Sequence, residues 1–493
     1  MRNYIVFYIN GKRITINDAQ AFMPVANFLR SEKAMPGTKI VCAEGDCGAC
    51  TLLKASPNIN IPDAPPKFFS FNSCITPVFL LDCAHIITVE GLKTESCAPD
   101  PIQKAFVSCN ASQCGYCTPG FVMAMAGLFE QCANPTKKAI QNHLTGNLCR
   151  CTGYDSIINA GLSVDGENRQ TLFERYSDDS IWNDLKNHQT IPVQLEAQTH
   201  QGPKTFFAPQ TLQEASKLRQ TYKDVRLIAA ATDLGVQINK RRTLPSRFLS
   251  LSLIPKLHQL EEINGHVLVG AQVNFERLRL FLKERMPDFA RFLNLFASPQ
   301  IKHVGTLVGN TANASPIADS TPYLMMSNAS IVLWGKQGER KISILDFYLG
   351  YKKLNMEADE LISKIEIPLP DKNAQIKLYK ISARRDLDIS CVNAAMQLSC
   401  SIIDGQPSVK HVSIAYGGVG PTVVRVPKTE AFLKGKPLSH STFKKASQLL
   451  CQEITPISDV RGSQDFRLQV AQNLLKRFYI DLVSSNSNLE GSQ

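Results

Sequence analysis

Long apolar runs are missing from this chain. Nowhere among its 493 residues do about 18 consecutive apolar residues occur, the length a helix needs to cross a bilayer, so no membrane partner is expected. The apolar stretch inside Met1–Lys12 is too short for a signal core and runs into a turn with no small-residue cleavage site, so no secretory leader is expected either. A cytoplasmic setting is the consequence. Neither G-x-G-x-x-G nor G-x-x-x-x-G-K-[ST] occurs, which removes the usual support for a Rossmann dinucleotide site or a Walker phosphate loop. Dense Lys/Arg runs with interleaved aromatics are absent too; the longest basic cluster, Lys240-Arg241-Arg242, reads as a solvated loop. No internal repeat is visible.

What is present is distributed unevenly. Hydrophobic residues at 44% and charged residues at 20% are ordinary values for a folded chain, which excludes disordered and fibrous classes. The length suits about three domains at ~150 residues each. The chain has 15 cysteines and a formal charge of +11. Twelve cysteines fall in residues 1–165; only Cys391, Cys400 and Cys451 lie beyond. Residues 1–165 hold 13 Lys and Arg against 12 Asp and Glu, so nearly all the positive charge belongs to residues 166–493. Such an excess suits small anionic cofactors as well as nucleic acid.

Periodicity divides the chain further. Strand-like runs at 3–9 and 13–16 meet at Asn10-Gly11, a hairpin signal. A helix over Ala26–Arg30, a Gly/Cys-rich loop at 37–50, and strands at Thr51–Leu53, Ile75–Leu81 and Ile86–Val89 complete a β-rich domain at 1–93. Helices over 101–110, 119–131 and 136–144 give an all-helical unit at 94–163, with Pro119 and Pro135 near helix starts. Residues 164–203 are polar and read as a linker. Strands and helices alternate through 204–375, and 376–485 reads as a further unit of strands followed by helices. The tail at 486–493 is polar and expected to be loose. The fold class is multidomain α+β.

Cys42, Cys47 and Cys50 are spaced C-x4-C-x2-C, and Cys74 follows. This is the spacing of plant-type ferredoxins, in which four thiolates hold a 2Fe-2S cluster. Gly45 and Gly48 permit the sharp bends such a loop needs and free backbone N–H groups to approach sulfur. A structural zinc site usually uses two C-x2-C knuckles instead. A second set, Gln113-Cys114-Gly115-Tyr116-Cys117-Thr118-Pro119-Gly120 with Gly146-Asn147-Leu148-Cys149-Arg150-Cys151-Thr152-Gly153-Tyr154, places both cysteine pairs at predicted helix N-termini, where thiolate is favoured. On spacing alone this second set fits iron-sulfur or zinc.

Together, the two blocks resemble the iron-sulfur half of the molybdenum hydroxylases, the xanthine dehydrogenase and aldehyde oxidase superfamily. The resemblance implies one 2Fe-2S cluster on Cys42, Cys47, Cys50 and Cys74 in a β-grasp, ferredoxin-like domain. A second is implied on Cys114, Cys117, Cys149 and Cys151 in a four-helix domain. In that family the helical cluster lies nearest molybdenum and the ferredoxin-like cluster passes electrons to flavin. The other seven cysteines read as small buried hydrophobes.

Residues 204–480 resemble the flavoprotein part of the same family, with an FAD-binding domain of the vanillyl-alcohol-oxidase-like type and a C-terminal α/β domain. Leu227-Ile228-Ala229-Ala230-Ala231-Thr232-Asp233-Leu234 matches its first pyrophosphate loop. Thr306, Gly309, Asn310, Ser315 and Asp319 fall in the second. The family usually has glycine where Ala230 stands, which Ala tolerates if its φ stays negative. The resemblance also places Phe296, Ile362 and Lys380 at the flavin. Ala383-Arg384-Arg385-Asp386-Leu387-Asp388-Ile389 resembles the loop that controls access of NAD, and reads equally as a solvated hairpin.

This domain order resembles the small iron-sulfur/FAD subunits of bacterial xanthine dehydrogenases within that family. A molybdopterin domain is absent from the chain, so a separate large molybdopterin-binding subunit is the expected partner, in a dimer of heterodimers, with NAD as acceptor and xanthine or hypoxanthine as substrate. No catalytic acid, base or nucleophile is expected on this chain. A hydroxylase for aldehydes or N-heterocycles is the enzymatic alternative, and a zinc-stabilised scaffold the non-enzymatic one. Fusion of iron-sulfur and flavin regions in one chain speaks against the carbon monoxide dehydrogenase pattern of separate subunits. With FAD and NAD as the anions to be held, no nucleic-acid partner is expected.

Overall fold

The computed structural model describes residues 1–61, 64–93, 98–384 and 387–490. Cys97 and the Arg385-Asp386 part of the expected NAD loop lie outside the described residues. The chain forms two compact units: Met1–His258 with Asn274–Glu276 and Ala297–Thr306, and Gln259–Val273 with Arg277–Phe296 and Leu307–Gln493. Residues 204–375 contribute to both units.

The first unit opens with a hairpin of β1 (Ile5–Ile9) and β2 (Lys12–Ile16), turning where Asn10 and Gly11 both take positive φ. A turn of that hand matches the twist of its strands, and only residues of these types adopt it cheaply. With β3 (Thr51–Ala55), β4 (Phe69–Asn72) and β5 (Ala84–Ile87) these strands form a sheet in the order β2-β1-β5-β3-β4, in which β1 and β5 run parallel. Helix α1 (Val25–Ser31) buries Val25, Ala26, Phe28 and Leu29. The strand expected over Ile75–Leu81 is not one: Pro77 precedes a 3-10 turn at Val78–Leu81, and the strand beside β3 is the unforeseen Phe69–Asn72. Pro77 lacks the N–H a ladder position would need, and the whole Ile75–Phe79 stretch is buried without alternation.

Four helices follow: α2 (Pro101–Ser108), α3 (Thr118–Phe129), α4 (Lys137–His143) and α5 (Asp155–Ser163). Helix α3 is apolar all round and central, with every residue from Gly120 to Phe129 buried. Residues 164–203, expected as a linker, are packed structure. They form α6 (Leu172–Arg175), α7 (Asp179–Gln189), β6 (Val193–Thr199) and the first part of β7 (Gly202–Ala208). Leu172, Ile181, Trp182 and Leu185 join the core built on α3. On α7 the spacing of Ile181, Trp182 and Leu185 puts one narrow apolar stripe on an otherwise polar helix, which an average over the segment conceals. Arg169 is also buried, pairing with Glu130 at 2.8 Å and Asp100 at 3.4 Å, and Arg175 reaches Asp100 at 3.1 Å.

Helix α8 (Leu212–Thr221), β8 (Arg226–Ile228), α9 (Leu234–Asn239) and β9 (Arg247–Ser250) complete this unit's second sheet, ordered β6-β7-β9-β8. Its Leu195, Phe206, Ile228 and Phe248 share one core with Phe7 of the first sheet, Phe28 of α1 and Phe79 of the 3-10 turn. The short helix Pro299–Lys302 also belongs to this unit.

The second unit contains an antiparallel five-stranded sheet in the spatial order Leu260–Ile263, His266–Gly270, Leu361–Pro368, Ser330–Gly335 and Gly338–Ser343. A four-stranded antiparallel sheet, led by Gln375–Ile381, Val392–Ile403 and Gln406–Gly417, packs with helices His440–Leu450 and Gln464–Glu490. That last helix runs on through 486–490, where a loose tail was expected.

Candidate functional site

The loop from Gly37 to Cys50 holds its bends with positive φ at Ala43, Gly45 and Gly48. Gly48 is required by close approach as well: a Cβ there would lie 2.2 Å from the Gly146 carbonyl oxygen. This loop brings the Cys42 thiol against those of Cys47 and Cys74, and Cys50 against Cys74. Cys42 Sγ accepts backbone N–H bonds from Glu44 at 3.4 Å and Cys47 at 3.5 Å. The neighbouring thiols and these donors hold the Cys42 thiol well below its ordinary range. Cys50 and Cys74 are buried, while Cys42 and Cys47 are half-buried.

In the second set Cys114 lies against Cys151 and Cys117 against Cys149. Cys117 caps α3. Cys149 Sγ meets the Thr152 N–H at 3.4 Å and its hydroxyl at 3.1 Å, contacts that bring the thiol's pKa down against the opposing effect of burial. Tyr154, with φ of 73° just before α5, turns its hydroxyl back to accept the Cys149 N–H at 3.0 Å. Cys114 and Cys151 are exposed. Four neighbouring thiols in each set, with N–H donors aimed at sulfur, fit a 2Fe-2S cluster, which four cysteines hold. Of the remaining cysteines, Cys83 and Cys391 are buried, but Cys132 and Cys400 are exposed, against expectation. Cys132 follows the end of α3, and Cys400 sits at a register shift in the long hairpin.

The first flavin segment forms the end of β8 and a loop into α9. Ala230, the residue standing where the family has glycine, is not among those with positive φ; the left-handed conformation, φ of 59°, falls on Ala231. The side chains of Ala229 to Ala231 end at Cβ; Ala229 and Ala230 are half-buried, and Ala231 is buried in the core of this unit. Thr232 is half-buried, and Asp233 accepts from Gln237. Beyond the loop, Asn239 Nδ2 donates to the carbonyls of Ala43 and Cys74, both at 2.9 Å. Nothing in the sequence had signalled that residue, which ties α9 to the first cysteine loop. Thr306 is buried in this same unit.

The second unit holds the other flavin candidates. Gly309 and Asn310 lie on a short helix, Leu307–Ala312, and Asn310 accepts from Ser320 at 2.6 Å. Ser315 receives the Ile317 N–H at 3.4 Å. Ile362 is buried on the strand Leu361–Pro368, and Phe296 is half-buried at the end of the helix Pro287–Leu295. Asp319 and Lys380 form a buried pair at 2.6 Å, with side chains 7% and 3% exposed. Ser390 and Asn393 complete its shell, donating to Asp319 Oδ1 at 2.5 and 2.7 Å. Lys380 stands opposite Asn393 in the strand register, so backbone pairing places two members of this group. In the neighbouring loop Arg384 pairs with Asp388 at the surface.

Three family descriptions match the chain: "[2Fe-2S] binding domain" over 88–162, "FAD binding domain in molybdopterin dehydrogenase" over 199–370, and "CO dehydrogenase flavoprotein C-terminal domain" over 377–482. The chain belongs to the molybdenum hydroxylase family. It is an iron-sulfur/flavin chain of that family, with 2Fe-2S-binding and FAD-binding domains. Xanthine dehydrogenase 1 of Arabidopsis thaliana is 30% identical over 98% of this molybdenum hydroxylase chain and 40% of its own length. The chain thus spans about two fifths of the curated relatives it matches. Among solved structures, carbon monoxide dehydrogenase from Hydrogenophaga pseudoflava superposes with a TM-score of 0.52 at 26% identity, over 55% of this chain and 94% of that one. Quinoline 2-oxidoreductase from Pseudomonas putida 86 gives 0.51 at 27%, over 56% and 94%. No described helix is long and apolar enough to cross a membrane.

Proposed function

We propose that this chain is the electron-transfer subunit of a xanthine dehydrogenase, working in the cytoplasm with a large molybdopterin-binding subunit in a dimer of heterodimers. Cys42, Cys47, Cys50 and Cys74 hold one 2Fe-2S cluster in a β-grasp domain, and Cys114, Cys117, Cys149 and Cys151 hold the other. Leu227–Leu234, Phe296, Thr306, Gly309, Asn310, Ser315, Asp319, Ile362 and Lys380 hold FAD in a domain of the vanillyl-alcohol-oxidase-like type. When bound, these groups supply one-electron transfer from the partner's molybdenum centre and a two-electron exchange with NAD, in the oxidation of hypoxanthine and xanthine to urate.

The observation that carries this reading is the linkage of all eight cysteines into two thiol groups in the same unit as the first flavin segment. The protein's own contribution is to keep sulfur in its ligand form. The N–H groups of Glu44 and Cys47 do this at Cys42, and Thr152 does it at Cys149. Asn239 keeps the flavin loop's helix fixed on the Cys42–Cys74 loop. A related hydroxylase acting on an N-heterocycle or aldehyde is the second reading, favoured by the likeness to quinoline 2-oxidoreductase.

Cys149→Ser tests the assignment in the complex purified with its partner. Xanthine-dependent NAD reduction is expected to vanish while NADH-dependent dye reduction at the flavin persists. Equal loss of both in a folded protein would count against it, as would a colourless wild-type preparation containing zinc. Turnover of quinoline-type substrates or aldehydes without turnover of xanthine would favour the second reading.

A further inference from the structure

The two cysteine loops meet at a buried junction. The Leu148 N–H donates to the Cys47 carbonyl at 3.0 Å, and Asn147 Nδ2 donates to the Gly48 carbonyl at 3.0 Å. A path of covalent bonds broken by a single hydrogen bond therefore runs from the Cys47 sulfur through its own carbonyl to the Leu148 N–H and on to the Cys149 sulfur.

What orients this junction comes from much later in the chain. Gln300, on the short helix Pro299–Lys302, is 0% exposed; its Nε2 donates to Asn147 Oδ1 at 2.8 Å and to Thr51 Oγ1 at 3.1 Å. An asparagine amide presents an acceptor at one end and donors at the other. With Oδ1 engaged by Gln300, the donor end of Asn147 must face Gly48. Gln300 itself is fixed by its helix, whose first turn is capped by the Ser298 side chain accepting the Ile301 N–H. Its own Oε1 is buried with no hydrogen-bond partner and lies against Gly146, where a Cβ would come within 2.1 Å. A buried amide oxygen left unpaired is costly. Turning the amide over would bring that oxygen against Asn147 Oδ1 and withdraw the donor from both acceptors.

We propose that Gln300 is a positioning residue for electron exchange between the two cysteine sites: it fixes Asn147, and through it the hydrogen bond from Leu148 to Cys47 that bridges them. The proposal rests on the reading of the eight cysteines as cluster ligands. One electron leaves one site and arrives at the other, and no proton moves and no bond forms or breaks.

The test uses the native complex carrying Gln300→Glu or Gln300→Met, both close to glutamine in volume, and Asn147→Asp. Loss of a buried hydrogen-bond partner is worth a factor of about ten or more in closed-state population, so exchange of the Leu148 amide should accelerate about tenfold or more in Gln300→Glu. Electron equilibration between the clusters after photoreduction should slow several-fold in all three variants, with iron content and both electron-spin-resonance signals kept. Wild-type equilibration in Gln300→Met and Gln300→Glu would overturn the proposal, because a residue that only fills space would allow it. Should the Gln300 variants lose iron, Asn147→Asp decides, and wild-type equilibration there overturns the proposal equally. Absence of two reduced-cluster signals in the wild type is the failure of the cluster reading itself, and takes this inference with it.

Discussion

Removing the Lys380 ammonium should be one of the more damaging single changes in the second unit. In Lys380→Met the stem remains, but Asp319, 7% exposed, keeps a charge answered only by the Ser390 hydroxyl and the Asn393 amide. Breaking a buried pair from one side costs about 3–5 kcal/mol, because the surviving charge is uncompensated. Strands Gln375–Ile381 and Val392–Ile403 carry Lys380 and Asn393 in direct register. Their amides therefore report the loss, and hydrogen exchange followed by mass spectrometry should show protection falling by roughly a hundredfold to a few thousandfold. The double variant Lys380→Met/Asp319→Asn removes both charges and keeps groups that Ser390 and Asn393 can bond, so most of the protection should return. Unchanged protection in the single variant, or a double variant no better than the single, would refute this account of the pair.

Trp182→Ala should cost about 3–5 kcal/mol, as for other large buried side chains, measured as a shift in the urea midpoint; a shift near zero would restore 164–203 to the status of a linker. His85 is 0% exposed, with burial holding its pKa down at about 3, and its Nε2 accepts the Gly11 N–H at 3.0 Å. The unfolded chain takes up a proton there below about pH 6.5 and the folded chain does not, so stability should fall by about 1.4 kcal/mol per pH unit between those values. His143, likewise brought down to about 3 by burial and next by His303, adds a second such contribution. His85→Gln keeps an acceptor for Gly11 and should flatten the slope by up to about 1.4 kcal/mol per pH unit; an unaltered slope in urea titrations at pH 4 to 6 would contradict the assignment.

The cysteine spacings were legible because metal chemistry demands particular residue types at short, fixed separations, and hairpins such as Asn10-Gly11 because positive φ restricts composition. Residues 164–203 were not legible. Their apolar side chains are few, and their burial depends on Arg169 finding Asp100 and Glu130, partners far apart in the sequence. Strand β4 was missed since four residues carry too little periodicity. Asn239 and Gln300 are ordinary amides in ordinary surroundings, and Asn147 stood out only as part of the second cysteine block; only the folded chain shows what each one bridges. The condition placed on Ala230 was sound as stereochemistry, yet the strained position is its neighbour Ala231.

The packing of α7 bears on how chains of this kind could be divided. The carbon monoxide dehydrogenase chain superposes on only 55% of this one, so a boundary in the polar stretch is one place to consider a cut. Severed before Asp178, the iron-sulfur fragment would lose the indole that closes its core; severed after β6, it would carry away the strand that edges the flavin sheet. The break that spares both falls in the turn at Thr190–Pro192, between α7 and β6. Even there, Arg2 holds the carbonyls of His188 and Ile191 on one side, while its own carbonyl receives the Gln194 N–H on the other. A two-gene version of this protein would thus have to re-form that seam as a subunit interface.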